Sequence, residues 1–145
     1  MNKRITSILL LTGFTLLAAS SAQAMIDGKY QCTGNDPTRT PSSFTGIETY
    51  SALSPLDPQH PKAGTVYNIA ETDSNGSASY TYHQFGILHG NTISMAYQFT
   101  QKNLWGVQYM TVHQHGKVLE GNFVYWDKFK QVATERCTRI DKTSD

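Results

Sequence analysis

LWGVQYMTVHQHGKVLEGNFVYWDKFKQVATERCTRI, residues 104–140, is the stretch whose reading decides the fold. Two runs rich in aromatic and β-branched residues, Trp105–His113 and Val118–Trp126, flank the turn at His115-Gly116. Such runs on either side of a turn signal read as a β-hairpin. A third run, Gln131–Ile140, carries Cys137. The chain has two cysteines, and the other is Cys32, near the opposite end. A bond between them ties the last predicted strand to the first.

Upstream of this stretch the same pattern repeats. Past residue 25 no helical periodicity of useful length appears. Short β-rich runs at Gly28–Thr33, Phe44–Leu53, Thr65–Thr72, Ser79–Phe85 and Thr92–Thr100 are set apart by Gly, Asn, Asp, Ser and Pro. The Thr92 run alternates most cleanly: Ile93, Met95, Tyr97 and Phe99 share one face, Ser94, Ala96 and Gln98 the other. Asp73-Ser74-Asn75-Gly76, Gln101-Lys102-Asn103 and Gln114-His115-Gly116-Lys117 read as turns. Asn35–Ser43 is a polar loop with two prolines, and the prolines of Ser54–Gly64 favour a stiff, extended one. Eight runs joined mostly by short turns predict an all-β, eight-stranded antiparallel up-and-down barrel, because closure removes exposed edges. The alternative is a two-sheet β-sandwich, in which a Cys32–Cys137 disulfide would join the sheets.

Residues 1–24 have the three parts of a secretory signal peptide: basic Lys3-Arg4, an apolar stretch from Ile8 to Ala19, and the small-residue site Ala22-Gln23-Ala24. The apolar stretch is short for a membrane span, which takes about 20 residues. The expectation is therefore an exported protein, periplasmic or extracellular, with residues 25–145 forming one domain and no membrane anchor. In that compartment two cysteines pair into a structural disulfide more readily than they serve as free thiols, and no C-x-x-C spacing supports a redox or metal role. Removing Lys3 and Arg4 leaves ten basic against eleven acidic side chains, a net charge of −1 with histidine neutral. Without a basic run there is no electrostatic case for nucleic acid or an anionic membrane as partner.

Gly28-Lys29-Tyr30 in the first run resembles the Gly-x-Trp opening of lipocalins and avidins, with tyrosine in place of tryptophan. Arg136 or Arg139 in the last run is similar to the arginine that lipocalins pack across that aromatic. The resemblance to these calycin-type barrels implies a barrel able to hold a small apolar ligand. It transfers no binding residue.

No motif names a reaction. His113 and His115 stand at i, i+2 and face one side of an extended strand, the spacing of a weak metal pair that would need His83, His89 or Glu120 as a third ligand. Two solvated turn histidines explain the same pattern. Glu120 and Glu135 could serve as an acid/base pair, but an ordinary Glu–Arg pair with Arg136 or Arg139 is the simpler reading. There is no Gly-x-Ser-x-Gly elbow and no Gly-rich phosphate loop. The aromatics are the most suggestive group: Tyr80, Tyr82, Tyr97, Trp105, Tyr109, Tyr125 and Trp126 either fill the core or line a ligand site. The leading expectation is a non-enzymatic exported barrel, without cofactor, that binds a small apolar or aromatic ligand or a protein surface. The rivals are an enzyme on the same scaffold using Glu120, Glu135 or a histidine, and an inhibitor acting through the 54–64 loop.

Overall fold

The computed structural model describes residues 25–60, 63–75, 78–99 and 104–140. Residues 1–24, expected to be a signal peptide, Gln101-Lys102-Asn103, expected to be a turn, and Gly76-Ser77 lie outside that range. Eight strands follow one another: β1 (Gly28–Asn35), β2 (Ser43–Pro55), β3 (Thr65–Asn75), β4 (Ala78–His89), β5 (Thr92–Phe99), β6 (Leu104–His113), β7 (Val118–Tyr125) and β8 (Ala133–Arg139). Each pairs antiparallel with its neighbours in sequence, and β1 also pairs with β8. This is a closed up-and-down barrel, not a sandwich. Its architecture is consistent with the calycin type.

The sequence marks the strands well and their ends less well. Asp73 and Ser74, expected in a turn, are paired with Tyr80 and Ser79 in the β3–β4 ladder. Asp73 is in phase with the inward residues Ile69 and Glu71, and it finds a partner inside. Gly86 does not end β4; the strand runs on to His89, and the side chains of Ile93 and Met95 lie against the glycine. Gly106 has a similar role, because its missing side chain leaves room for the ring of Tyr97. The short connection between β6 and β7 is a 3-10 turn, Gln114–Gly116, with Gln114, His115 and Gly116 at positive φ.

Three layers fill the barrel. At one end Tyr30, Tyr50, Tyr67, Ile69, Leu88, Ile93, Met110 and Leu119 pack together around Ile26. That end is sealed by backbone contacts: the Tyr30 hydroxyl donates to the Gly116 carbonyl at 2.6 Å, and the Arg139 guanidinium donates to the Asp27 carbonyl while lying 5.7 Å over the Tyr30 ring. At the other end Phe44, Tyr82, Tyr97, Phe123 and Tyr125 meet edge to face. Between these layers runs a belt of polar side chains.

Cys32 and Cys137 are directly opposite across the β1–β8 seam, both fully buried, and their sulfurs are bonded. The bridge closes a span of 105 residues. In the chain-entropy picture such a loop contributes about 4–5 kcal/mol. Replacing both cysteines with alanine is expected to lower the unfolding midpoint by well over ten degrees, and calorimetry of the two forms measures it; an unchanged midpoint would mean the seam holds without sulfur.

Candidate functional site

Alternation along the strands builds the belt. On β2, Phe44 and Tyr50 point inward, so Glu48 does too; on β3 Glu71 follows Tyr67 and Ile69; on β8 Glu135 lies between Ala133 and Cys137. Gln84 of β4 and Gln108 of β6 complete the ring. Glu48 and Glu71 are directly opposite each other in the β2–β3 ladder, an unfavourable placement for two like charges. Gln84 Nε2 bridges them, 2.5 Å from Glu71 Oε2 and 3.4 Å from Glu48 Oε1. Gln108 Nε2 donates to Glu135 Oε2 at 2.5 Å, and the Tyr50 hydroxyl to Glu48 Oε2 at 2.5 Å. Glu48 Oε2 also touches the Cys137 sulfur at 3.4 Å, a contact only, since a bridged sulfur has no proton to donate. Among the described residues three buried side-chain oxygens are left without a hydrogen-bond partner: Gln84 Oε1, Glu135 Oε1 and Asp73 Oδ1.

Above the belt, the loop between β1 and β2 plugs the barrel with Arg39. Asp36 shapes the loop by accepting from the Thr38 amide at 2.9 Å and the Thr38 hydroxyl at 2.7 Å. The guanidinium then pairs with Asp36 at 2.6 Å and Asp73 at 2.8 Å. It donates to the hydroxyls of Tyr82 and Tyr125, and lies over the rings of Phe44 and Tyr80 at 5.2 and 5.1 Å. Arginine suits this place because its planar fork offers five donors and stays charged. Beneath it is a chamber of about 10 Å³, lined by Glu71, Gln108, Glu135 and the surrounding tyrosines, with room for about one water or ion. Above it is an open vestibule of about 290 Å³, bordered by Tyr80, Tyr82, Leu104, Tyr125, Asp127 and Lys128.

Burial dominates the chemistry of the belt. It pushes the Glu48 carboxyl up to about 7, against hydrogen bonds from Tyr50 and Gln84 that favour the ionised form. Glu71 and Glu135 are driven well above the carboxylate range by burial, then by neighbouring carboxylates. Asp73 is also raised by burial, with Arg39 opposing. These acids therefore hold protons inside the barrel that they would lose in the unfolded chain.

The seven aromatics singled out in the sequence divide among three places. Tyr80, Tyr82 and Tyr125 border the vestibule, and Tyr97 is core. Trp105, Tyr109 and Trp126 are exposed, the first two on the outer wall. Glu120 is also outside, ion-paired with Arg136 across the β7–β8 ladder and 3.6 Å from His113. Glu135 is inside, so the two do not form an acid/base pair. His115 occupies the β6–β7 turn, and His83 and His89 are exposed on β4. His60 is exposed in the 54–64 loop and pairs with Asp57 at 2.7 Å. Asp36, Arg39, Glu48, Glu71 and Asp73 were missed. The available signal was phase: Glu48 and Glu71 share alternation with tyrosines destined for the core.

The outer wall of β4–β7 is a second feature. Across it run Phe85, Ala96, Val107 and Val124 in one row, with Ile87, Ser94, Tyr109 and Asn122 in the next. Phe85, Trp105, Val107 and Tyr109 are 61, 53, 54 and 52% exposed. Among the described outward residues of these four strands there is no lysine or arginine, and Glu120, paired as above, is the one carboxylate. A shallow depression of about 570 Å³ lies between Val107, Tyr109, Asn122, Val124 and Val132.

Two outcomes test the interior. Arg39→Ala leaves Asp36 and Asp73 buried without their cation, and should cost about 3–5 kcal/mol in chemical denaturation; a loss under about 1 kcal/mol would show that the plug is not structural. Glu48 binds its proton more tightly folded, near 7, than unfolded, near 4.5. Its stabilisation is therefore complete below the unfolded value and is lost as pH rises through the folded one, on the order of 3 kcal/mol. Stability is expected to fall between about pH 5 and pH 8, and Glu48→Gln to flatten that slope; identical slopes in both proteins would remove Glu48 from the account. No known protein-family model matches this chain, and no curated protein is similar to it.

Proposed function

We propose that the chain is an exported, non-enzymatic interaction module of calycin-like build, which works through the outer wall of β4–β7. The observation that carries this reading is the uncharged row of exposed aromatic and aliphatic side chains, Phe85, Ile87, Trp105, Val107 and Tyr109, on a rigid closed sheet. Monomeric proteins rarely leave so continuous an apolar face to water. The interior argues the same way, since a chamber of about 10 Å³ is far below the roughly 300 Å³ of small-molecule sites. The Tyr30–Arg139 stack supports the calycin kinship. Export is supported by the signal-like first 24 residues and the buried disulfide.

A second copy of the same chain is the partner this wall fits. A wall without net charge does not repel itself across a two-fold axis, and self-complementary apolar faces are typical of homodimers. Four strands about 4.8 Å apart and about 25 Å long present roughly 400–500 Å² per copy. Two copies bury roughly 800–1,000 Å², at or just under the lower bound for a specific interface. The dimer is accordingly weak and concentration-dependent. Sedimentation should show monomer passing to dimer with rising concentration, and Val107→Lys should hold the chain monomeric without lowering its unfolding midpoint. A wild-type protein that stays monomeric at the highest soluble concentration would defeat the proposal.

The vestibule supports a second, smaller reading. Three of the sequence-predicted tyrosines converge there beside Arg39, and its volume is close to that of a small-ligand site.

A further inference from the structure

The loop joining β7 to β8, Trp126-Asp127-Lys128-Phe129-Lys130-Gln131-Val132, stands at the vestibule end of the barrel and is exposed along its whole length. Its backbone is nonetheless fixed. The Trp126 amide donates to the Trp105 carbonyl at 2.8 Å, the Lys128 amide to the Tyr125 carbonyl at 3.0 Å, and the Gln131 amide to the Lys128 carbonyl at 2.9 Å. Trp126 is 72% exposed and Phe129 56%, and the two rings meet edge to face at 5.3 Å. Lys128 and Lys130 flank Phe129, both exposed, and neither has a carboxylate partner among the described residues. In the described loops at this end, Asp127 is the one exposed carboxylate; Asp36 is buried and paired with Arg39.

We infer that this loop is a membrane-contact site, which seats the Trp126–Phe129 pair in the surface of a bilayer carrying anionic headgroups. The pair lies past the end of β7, at the rim of the barrel and off the flat wall of β4–β7. A protein surface would need a hollow matched to these protruding rings, whereas a fluid bilayer interface takes them without one. Tryptophan suits that depth, because its ring is apolar while its N–H stays among the headgroups. Lys128 and Lys130 supply the complementary charge. Their stems lie along apolar surface while the ammonium groups reach lipid phosphates. The near-neutral chain as a whole makes no case for an anionic membrane; the case is local. Two lysines outnumber one aspartate in the loop, and salt limits the reach of more distant charges to about 8–10 Å. The fixed backbone presents both rings with little ordering cost. Two rings and a small positive excess give reversible attachment to the surface, not insertion. The inference is independent of the outer wall and of self-association.

The test uses the whole protein at concentrations where it is monomeric, so its result is separate from the fate of the dimer. The probes are vesicles of phosphatidylcholine alone, and of phosphatidylcholine and phosphatidylglycerol in equal parts. Co-sedimentation is expected to show binding to the anionic vesicles that weakens as salt rises, and weaker binding to the neutral ones. Trp126→Ala combined with Phe129→Ala should weaken binding to both by more than about tenfold. Lys128→Gln and Lys130→Gln should each weaken binding to the anionic vesicles about fivefold and leave the neutral ones unaffected. These side chains are exposed, so the unfolding midpoint of each variant should match the parent. In the unaltered chain, lipids brominated in their acyl chains should quench tryptophan emission, and Trp126→Ala should remove that quenching. No binding to either vesicle would overturn the site. So would aromatic variants that bind as the parent does, which would mean adsorption by charge alone, or quenching that survives Trp126→Ala, which would move the contact to Trp105 and the wall.

Discussion

Three glutamates held in the middle of a sealed barrel are the constraint to which the rest of the interior answers. Glu48 and Glu71 are paired across a ladder where like charges repel, and Glu135 closes the group from β8. Carboxyls buried this way cannot all stay ionised. The amide groups of Gln84 and Gln108, the Tyr50 hydroxyl and retained protons make the belt tolerable. Arg39 compensates the two aspartates above it, and its loop is shaped by Asp36 so that the guanidinium reaches the barrel axis.

This interior leaves little room for anything else. Aromatic layers close on both sides of the belt, so the aromatic surplus that suggests a ligand cavity in the sequence is mostly spent as packing or displayed outside. The distribution divides the molecule by role. Cohesion and the raised carboxyls belong to the inside, and the exposed apolar side chains to the wall of β4–β7. The inner and outer residues of one strand alternate, so β6 serves both: Gln108 and Met110 face the belt and core, while Trp105, Val107 and Tyr109 face water.

Much of the fold was legible because β-structure writes itself locally. Period-two alternation and turn residues mark eight strands, and the placement of Cys32 and Cys137 in the outermost two implies that they meet. Strand ends were less legible. Asp73 has turn chemistry but is kept in β3 by Arg39, thirty-four residues away. Gly86 has breaker chemistry but is kept in β4 by side chains from β5. In both cases a distant contact outweighs a local preference. The site was less legible still. Glu120 and Glu135 look alike in sequence, yet one strand's phase sends the first to solvent beside Arg136 and the next sends the second to the core.

Sequence alone determined the strand count, the alternation of each strand and the pairing of the two cysteines, because each depends on residues that are neighbours or unique. Tertiary structure alone decided which carboxyls share a chamber, that Arg39 plugs it, and which aromatics remain outside. Those outcomes depend on inter-strand register, and register is a property of the closed sheet as a whole: a shift of one residue in any strand would exchange its inner and outer faces.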